Sequence, residues 1–141
     1  MDAGLRIDIL SWEKARGDAS PIRFAVFVEE QGVPLDIELD EMDEKSIHAL
    51  AFHDGRPVGT GRLLPDGHIG RMAVLKAWRG RGIGAQLLVS LMDEARARGH
   101  REVVLSAQVQ AMAFYRRHGF LQEGREYLDA GIPHRDMRRS L

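Results

Sequence analysis

Apolar and polar residues alternate along several short stretches of the chain, which is the pattern of half-buried β-strands. The first stretch covers residues 5–10, and three more, separated by Asp-Gly pairs, cover residues 46–53, 58–64 and 68–75. Because Asp-Gly between apolar runs favours a tight antiparallel turn, we expect these three stretches to form a meander.

Other segments carry apolar residues at helical spacing. Ser20 before Pro21 predicts the start of a first helix, which ends near Gln31. An apolar stripe predicts a second helix over residues 84–98, and a short third helix covers residues 110–118. Helices and strands are therefore mixed along the chain.

The last part of the chain predicts three further strands. An unbroken apolar run at residues 102–107 is typical of a strand covered on both faces. With the strand at 68–75 and the helix at 84–98 it makes a strand-helix-strand unit, whose two strands should lie parallel. Two strands of alternating polarity follow at residues 120–127 and 134–140. The predicted fold class is α+β, with a mixed, mostly antiparallel sheet and one parallel crossover.

The composition is that of a globular protein of modest size. The chain has 141 residues, of which 44% are hydrophobic and 29% charged, and it has no cysteine. This fits a single domain over residues 1–141 and excludes disulfides, thiolate metal sites and a cysteine nucleophile. No apolar run approaches the roughly 20 residues that span a bilayer, and the N-terminus lacks the pattern of a signal peptide. We therefore expect a cytoplasmic protein without a membrane partner.

Charge is distributed unevenly, although the net charge is -1. Residues 1–60 carry 13 acidic and 6 basic residues, whereas residues 61–141 carry 8 acidic and 14 basic residues. A polyanionic ligand would therefore favour the second half of the chain. Residues 36–44 are strongly acidic without periodicity, and they are predicted to be a loop. This loop either attracts a cationic amine or is a solvated surface segment.

A glycine-rich turn lies between the strand at 68–75 and the helix at 84–98. Its sequence is Arg79-Gly80-Arg81-Gly82-Ile83-Gly84. Glycines let the backbone approach a ligand closely, and the unpaired N–H groups at a helix start favour an anion such as phosphate. A loop that binds a nucleoside triphosphate would need Lys-Ser or Lys-Thr after the glycines. A dinucleotide-binding fold would need an acidic residue at the end of the next strand. Both features are missing. The turn therefore either binds coenzyme A or contains glycines for packing only.

The turn resembles the coenzyme-binding motif of the GNAT superfamily of N-acetyltransferases. That motif is Gln or Arg, two residues, Gly, one residue, and Gly or Ala, which Arg79, Gly82 and Gly84 match. The surrounding sequence is similar too, at Met72-Ala73-Val74, Leu87-Leu88, Gly99, Ala111, Phe114-Tyr115 and Gly119-Phe120. The resemblance is close over residues 68–120. Residues 26–34 and 131–134 resemble one bacterial GNAT subgroup, whose members mostly lack an assigned substrate.

The resemblance implies a GNAT-like sheet with helices on both faces and acetyl-CoA as the acyl donor. It also implies that the strand before the turn splays from its neighbour and offers backbone groups to pantetheine, with an N–H near the thioester carbonyl. The implied coenzyme-binding residues are Met72, Ala73, Val74, Arg79, Gly80, Arg81, Gly82, Ile83, Gly84, Ala85 and Gln108. Gln108 stands where many members carry Asn, and it keeps the amide donor and acceptor on a longer stem.

Direct transfer from a thioester to an amine needs an oxyanion donor, a base and an acid. The resemblance implies that Tyr115 is the acid that protonates the departing thiolate. For the base we expect Glu29 or Glu30, at the end of the first predicted helix, with His134 as a further candidate. The six histidines show no paired ligand spacing, so we expect no metal.

The function that follows is direct transfer of an acetyl group from acetyl-CoA to a primary amine of a small molecule or peptide. A non-catalytic acyl-CoA-binding sensor or interaction module is the alternative from a different class. Nucleic-acid binding is disfavoured, because the arginines of the second half are dispersed and not interleaved with aromatic residues. The sequence leaves the acceptor and the oligomeric state open, and a homodimer is the commonest soluble assembly.

Overall fold

Residues 4–141, which the computed structural model describes, form two antiparallel β-sheets. The strands are β1 Leu5–Ser11, β2 Ile47–His53, β3 Arg56–Leu63, β4 Ile69–Val74, β5 Glu102–Gln108, β6 Leu121–Asp129 and β7 Ile132–Ser140. The first sheet has the order β1-β2-β3-β4 and the second has the order β5-β7-β6. The α+β class and the antiparallel meander of β2, β3 and β4 predicted from the sequence are confirmed.

The helices connect and cover these sheets. They are α1 Trp12–Arg23, which continues as a π-helix over Phe24–Glu30, then α2 Leu35–Glu38, α3 Ile83–Ala97 and α4 Met112–Arg117. Short 3-10 turns lie at Asp43–Lys45, Lys76–Trp78 and Val109–Ala111. No helix within residues 4–141 is long and apolar enough to cross a membrane.

Helix α1 begins at Trp12, so the predicted start at Ser20 and Pro21 is wrong. Both residues lie inside the helix, whose sheet-facing side is built from the fully buried Ala15 and Ala19 and from Ile22. Alanines give a weak hydrophobic signal, and the Ser-Pro pair therefore dominated the sequence pattern. After Pro21 the helix widens, and its final turns are π-helical.

Two helices cover opposite faces of the first sheet. Successive residues of a strand point to opposite faces, and in β2 the side chains of Leu50 and Phe52 pack with α1. Those of Ala49 and Ala51 belong instead to the larger core with α3, whose buried stripe includes Leu87, Leu88 and Leu91. The expectation of helices on both faces is confirmed.

The two sheets meet at one parallel bridge, between His68 and Val104. Strands β4 and β5 therefore have the parallel direction that the strand-helix-strand unit predicted, but they diverge instead of forming a continuous sheet. The predicted mixed, mostly antiparallel sheet divides into the two sheets at this point. Within residues 4–141, no strand pairs with the edge of β4 that faces β5.

The segment 36–44 is not the plain loop that the sequence predicted, because it contains the end of α2 and most of a 3-10 turn. Asp36, Asp40, Glu41 and Glu44 are exposed, but the other two acidic residues are buried. Glu38 and Asp43 are 4% and 3% exposed. Arg23 binds both of them, with its Nε 2.5 Å from Glu38 Oε1 and its Nη1 2.8 Å from Asp43 Oδ1. Because an ion pair offsets the cost of burying a charge, these carboxylates fix the segment onto α1.

Candidate active site

A cleft of about 910 Å³ lies where β4 and β5 diverge. Its walls come from the π-helix, β4, the turn before α3, the end of β5, α4 and the segment between β6 and β7. A cavity of this size is in the range of small-molecule and cofactor sites.

A β-bulge shapes the β4 wall of the cleft. Thr60 of β3 pairs with Ala73 and Arg62 pairs with Gly70, so Arg71 and Met72 both stand opposite one residue of β3. Arg71 has a φ of 49°, which few non-glycine residues adopt. The bulge turns this part of β4 away from a regular ladder. It leaves Met72, Ala73 and Val74 at the divergent edge, where all three line the cleft.

The glycine-rich turn forms the adjoining wall. Gly80 and Gly82 both have a φ of 80°, and a Cβ at either position would meet no atom within 4 Å. Gly82 is the N-cap of α3, whose first intrahelical bond runs from Gln86 N to Gly82 O at 3.1 Å. The N–H groups of the residues between them, Ile83, Gly84 and Ala85, therefore have no acceptor within the helix. Open space, unpaired donors and the helix dipole together suit a phosphate group.

The two arginines of the turn are held by protein contacts. Arg79 donates Nη1 and Nη2 to Glu30 at 2.9 and 2.8 Å, and its Nε to Val74 O at 2.9 Å. The guanidinium of Arg81 lies over the Trp78 ring, 4.6 Å from its centroid. The charge of Arg79 is thus balanced by Glu30, and its main role in this arrangement is to tie the turn to the π-helix.

The three candidate bases lie in different places. Glu29 and Glu30 end the π-helix, and neither lies among the residues that line the cleft. His134 does line the cleft and is 8% exposed. Its Nδ1 lies 2.6 Å from Ile132 O, so this nitrogen carries the proton and donates to the carbonyl. In the neutral ring, Nε2 then keeps the lone pair that a general base requires.

Tyr115 lines the same cleft from α4. Its ring packs edge-on against Phe114 and Phe120. Burial raises the pKa of Tyr115 from 10.0 to about 12, so the phenol is fully protonated near neutral pH. It is therefore available as a hydrogen-bond donor to an anion that forms in the cleft.

Gln108, expected to contact pantetheine, bridges two other glutamines. Its Nε2 donates to Gln31 Oε1 at 2.8 Å, and its Oε1 accepts from Gln110 Nε2 at 2.6 Å. Gln31 follows the π-helix and Gln108 ends β5, so this amide pair connects the first-sheet side of the cleft to the second sheet.

Sequence reasoning missed Arg71 and Gln31, both of which line the cleft. An arginine within the apolar strand Ile69–Val74 was a usable signal, because it breaks the alternation of that strand. Gln31 carried no such signal, since its role depends on Gln108, far along the chain. No group of three or more His, Asp or Glu residues within residues 4–141 is placed to hold a metal ion.

A glycine turn with free N–H donors at a helix start, next to the edge of β4 between diverging sheets, is compatible with an acyl-CoA-dependent N-acyltransferase. The comparisons with known proteins support this class. Residues 16–141 match the family model described as "Acetyltransferase (GNAT) domain". This chain belongs to the GNAT acetyltransferase family.

Relatives and solved structures agree with this assignment. The "Uncharacterized N-acetyltransferase YjcF" of Bacillus subtilis (strain 168) is 40% identical over 129 residues, which cover 89% of this chain and 92% of the relative. The crystal structure of an acyl-CoA N-acyltransferase from Pseudomonas aeruginosa superposes with a TM-score of 0.85 at 33% identity, covering 96% and 99% of the two chains. Escherichia coli ElaA superposes with a TM-score of 0.85 at 28% identity, over 96% and 99%.

Proposed function

We propose that this acetyltransferase moves an acetyl group from acetyl-CoA directly to the primary amine of a small molecule or peptide. The observation that carries the proposal is the open space above Gly80 and Gly82, next to the unpaired edge of β4. In this proposal the turn binds the pyrophosphate of the donor, and the strand edge binds its extended pantetheine. Direct transfer is favoured because the chain has no cysteine to carry the acyl group.

His134 is the proposed base. An amine acceptor reaches the cleft mainly as an ammonium ion at neutral pH, and it becomes a nucleophile only after it loses a proton. The Nε2 of His134 has the free lone pair for that proton, while the bond from Nδ1 to Ile132 O fixes the ring orientation. Glu30 is instead assigned the structural role of holding Arg79.

Tyr115 is proposed to stabilise the leaving group, and the β4 backbone is proposed to stabilise the carbonyl oxygen. When the amine attacks the thioester carbon, negative charge develops on the carbonyl oxygen, where an N–H from residues 72–74 would stabilise it. As the C–S bond breaks, the phenol of Tyr115 donates its proton to the thiolate, and the phenolate takes up the second proton that the attacking nitrogen loses when the amide forms. A buried phenol with a pKa of about 12 is a weak acid, so its hydrogen bond to the thiolate carries much of the stabilisation.

The donor site is tested by a pair of matched substitutions. Gly82→Val and Gly124→Val both place a β-branched residue at a positive φ with open space around it, but Gly124 lies in β6 outside the cleft. Acetyl-CoA at 100 times its Kd should stabilise the wild type by about 2.7 kcal/mol, measured as a rise in Tm. The rise should persist in Gly124→Val and vanish in Gly82→Val. A wild type that acetyl-CoA does not stabilise contradicts the proposal.

The transfer itself is tested by thiol release. A panel of amines, amino sugars and peptides is incubated with acetyl-CoA, and free thiol is measured together with the mass of the product. An acetylated amine formed at the rate of thiol release supports acetyl transfer to the amine. Thiol release that no amine accelerates refutes it.

A further inference from the structure

Apolar side chains make up much of the cleft wall near the π-helix and β4, where Gln31, Glu38 and Arg62 also line it. The apolar side chains are Val26, Phe27, Val33, Ile37, Leu64, Ile69 and Met72. Arg71 enters this apolar wall at the β-bulge, next to Met72. A cation on an apolar wall is costly unless it is paired, so the partners of Arg71 need an explanation.

Protein contacts hold one side of the Arg71 guanidinium. Its Nη2 donates to Glu38 O at 3.1 Å and to Asp40 Oδ2 at 3.2 Å. Its Nη1 makes no hydrogen bond to any residue in the described range 4–141. Two buried side-chain nitrogens within that range lack a hydrogen-bond partner, namely Arg62 Nε and Arg71 Nε. Arg71 Nη1 is not one of these buried atoms. Nη1 therefore belongs to the exposed 27% of this side chain.

The charge of Arg71 is only partly balanced. Glu38 and Asp43 are bound at short distance by Arg23, and Asp40 is bound by Arg62 at 2.7 Å. Arg71 shares Asp40 at 3.2 Å and lies 3.7 Å from Glu38. Burial and the neighbouring charge of Arg62 lower the pKa of Arg71, whereas the pKa of Arg23 is raised. Arg71 thus has no carboxylate of its own, because it shares Asp40 with Arg62 and Glu38 with Arg23 at longer distances than theirs.

We infer that the acceptor is an α-amino acid with an apolar side chain, whose carboxylate is bound by the free Nη1 of Arg71. This inference rests on the proposed function. Arg71 lines the same cleft as residues 72–74, so an acceptor held at Arg71 by its carboxylate can present its α-amine to a thioester at that strand edge. The apolar wall receives the side chain. A simple cationic amine has no counterpart there, because the nearby acidic groups are already paired with arginines.

Binding of matched product pairs tests the inference without turnover. N-acetyl-L-leucine and N-acetyl-L-leucinamide differ in the carboxylate alone, and each is titrated calorimetrically into the protein with saturating CoA. The wild type should bind the acid at least tenfold more tightly than the amide, as expected for a charge-assisted hydrogen bond. Equal binding of the two compounds overturns the inference, and this comparison needs no variant.

Variants then assign the preference to one side chain. Arg71→Gln should abolish the preference for the acid, whereas Arg98→Gln, which removes an exposed arginine outside the cleft, should retain it. A preference that survives in a folded Arg71→Gln protein overturns the role of Arg71.

Kinetics separates this inference from the proposed function. Thiol release from acetyl-CoA is compared for L-leucine and isoamylamine, which is the same amine without the carboxylate. A kcat/KM at least tenfold higher for leucine, lost mainly through KM in Arg71→Gln, supports the inference. Equal use of both amines overturns the inference but leaves the acetyltransferase proposal intact. Thiol release that no amine accelerates refutes the proposed function itself.

Discussion

Tyr115 and His134 reach the cleft from two different elements in the second half of the chain. One lies on α4 and the other on β7, and each side chain is held in place by the fold. The burial of the phenol and the Nδ1 bond of the imidazole are set by neighbouring residues rather than by a ligand. The two side chains are therefore arranged before any substrate binds.

Tyr115→Phe removes the phenol hydroxyl and keeps the ring that packs against Phe114 and Phe120. We expect kcat to fall by about 10²-fold or more, because general acid catalysis commonly contributes that much. The rise in Tm with acetyl-CoA should be unchanged. A variant with full activity would show that solvent, not Tyr115, protonates the thiolate.

His134→Ala should lower kcat/KM by about 10²-fold at neutral pH, since the acceptor then loses its base. Raising the pH supplies more free amine, so the deficit relative to the wild type should shrink as pH rises towards the amine pKa of about 10. His68→Ala serves as the control, because His68 also lines the cleft but is bound by Asp66 at 2.9 Å. A deficit that does not change with pH contradicts the assignment of His134 as base.

At the scale of elements, backbone conformation decides what one extra methyl group does. Gly17 in α1 and Gly99 after α3 both have open space where a Cβ would stand, but Gly99 has a φ of 86° and Gly17 is helical. Gly17→Ala should stabilise the protein by roughly 0.5–1 kcal/mol and Gly99→Ala should destabilise it by about 1 kcal/mol. Urea unfolding of both variants measures this. The same sign for both would refute the backbone argument.

Arg23, Asp43 and His48 form a buried cluster between α1, the segment after α2, and β2. This cluster makes the stability of the protein depend on pH. Burial, assisted by the charges of Arg23 and Arg62, lowers the pKa of His48 from its ordinary 6.5, although Asp43 acts in the opposite direction. Below pH 6.5 the unfolded chain therefore binds a proton that folded His48 does not, and the free energy of unfolding decreases as pH falls.

Urea unfolding at pH 7.5 and 5.5 tests this dependence. The wild type should lose stability at the lower pH, and His48→Gln, although less stable overall, should lose less. A loss of the same size in both proteins would assign the effect to other groups.

The elements that sequence predicted well are those with strong local signals. The Asp-Gly turns of the meander, the apolar stripe of α3 and the glycine turn before it depend on residues within a few positions of one another. Helix α1 was misplaced because its buried face is made of alanines. The ion pairs of Arg23 with Glu38 and Asp43 join residues 15 and 20 positions apart, so no local pattern could reveal them.

The same contrast holds for the site. The turn at residues 79–84 and Tyr115 could be proposed from motifs, and both line the cleft. The bulge at Arg71 depends on register with β3, which a single sequence does not specify.

At the scale of the whole molecule, the cleft separates two sheets that share one backbone bridge. A donor that occupies the cleft would contact the edge of β4 and the start of α3 together. Hydrogen exchange should therefore slow at residues 72–75 and 80–86 when acetyl-CoA is added, measured by mass spectrometry. Strand β6, an edge strand exposed along its length, serves as the internal control. Protection spread evenly over the chain would contradict a donor site at this junction.

The strand order β5-β7-β6 also constrains how the chain assembles. Strand β7 lies in the middle of the second sheet, yet it follows both of its partners in the sequence. During synthesis, β5 and β6 therefore lack the strand that pairs with both of them until residues 132–140 leave the ribosome. The half of the molecule that holds His134 thus forms last, after the first sheet and α3 can already have packed together.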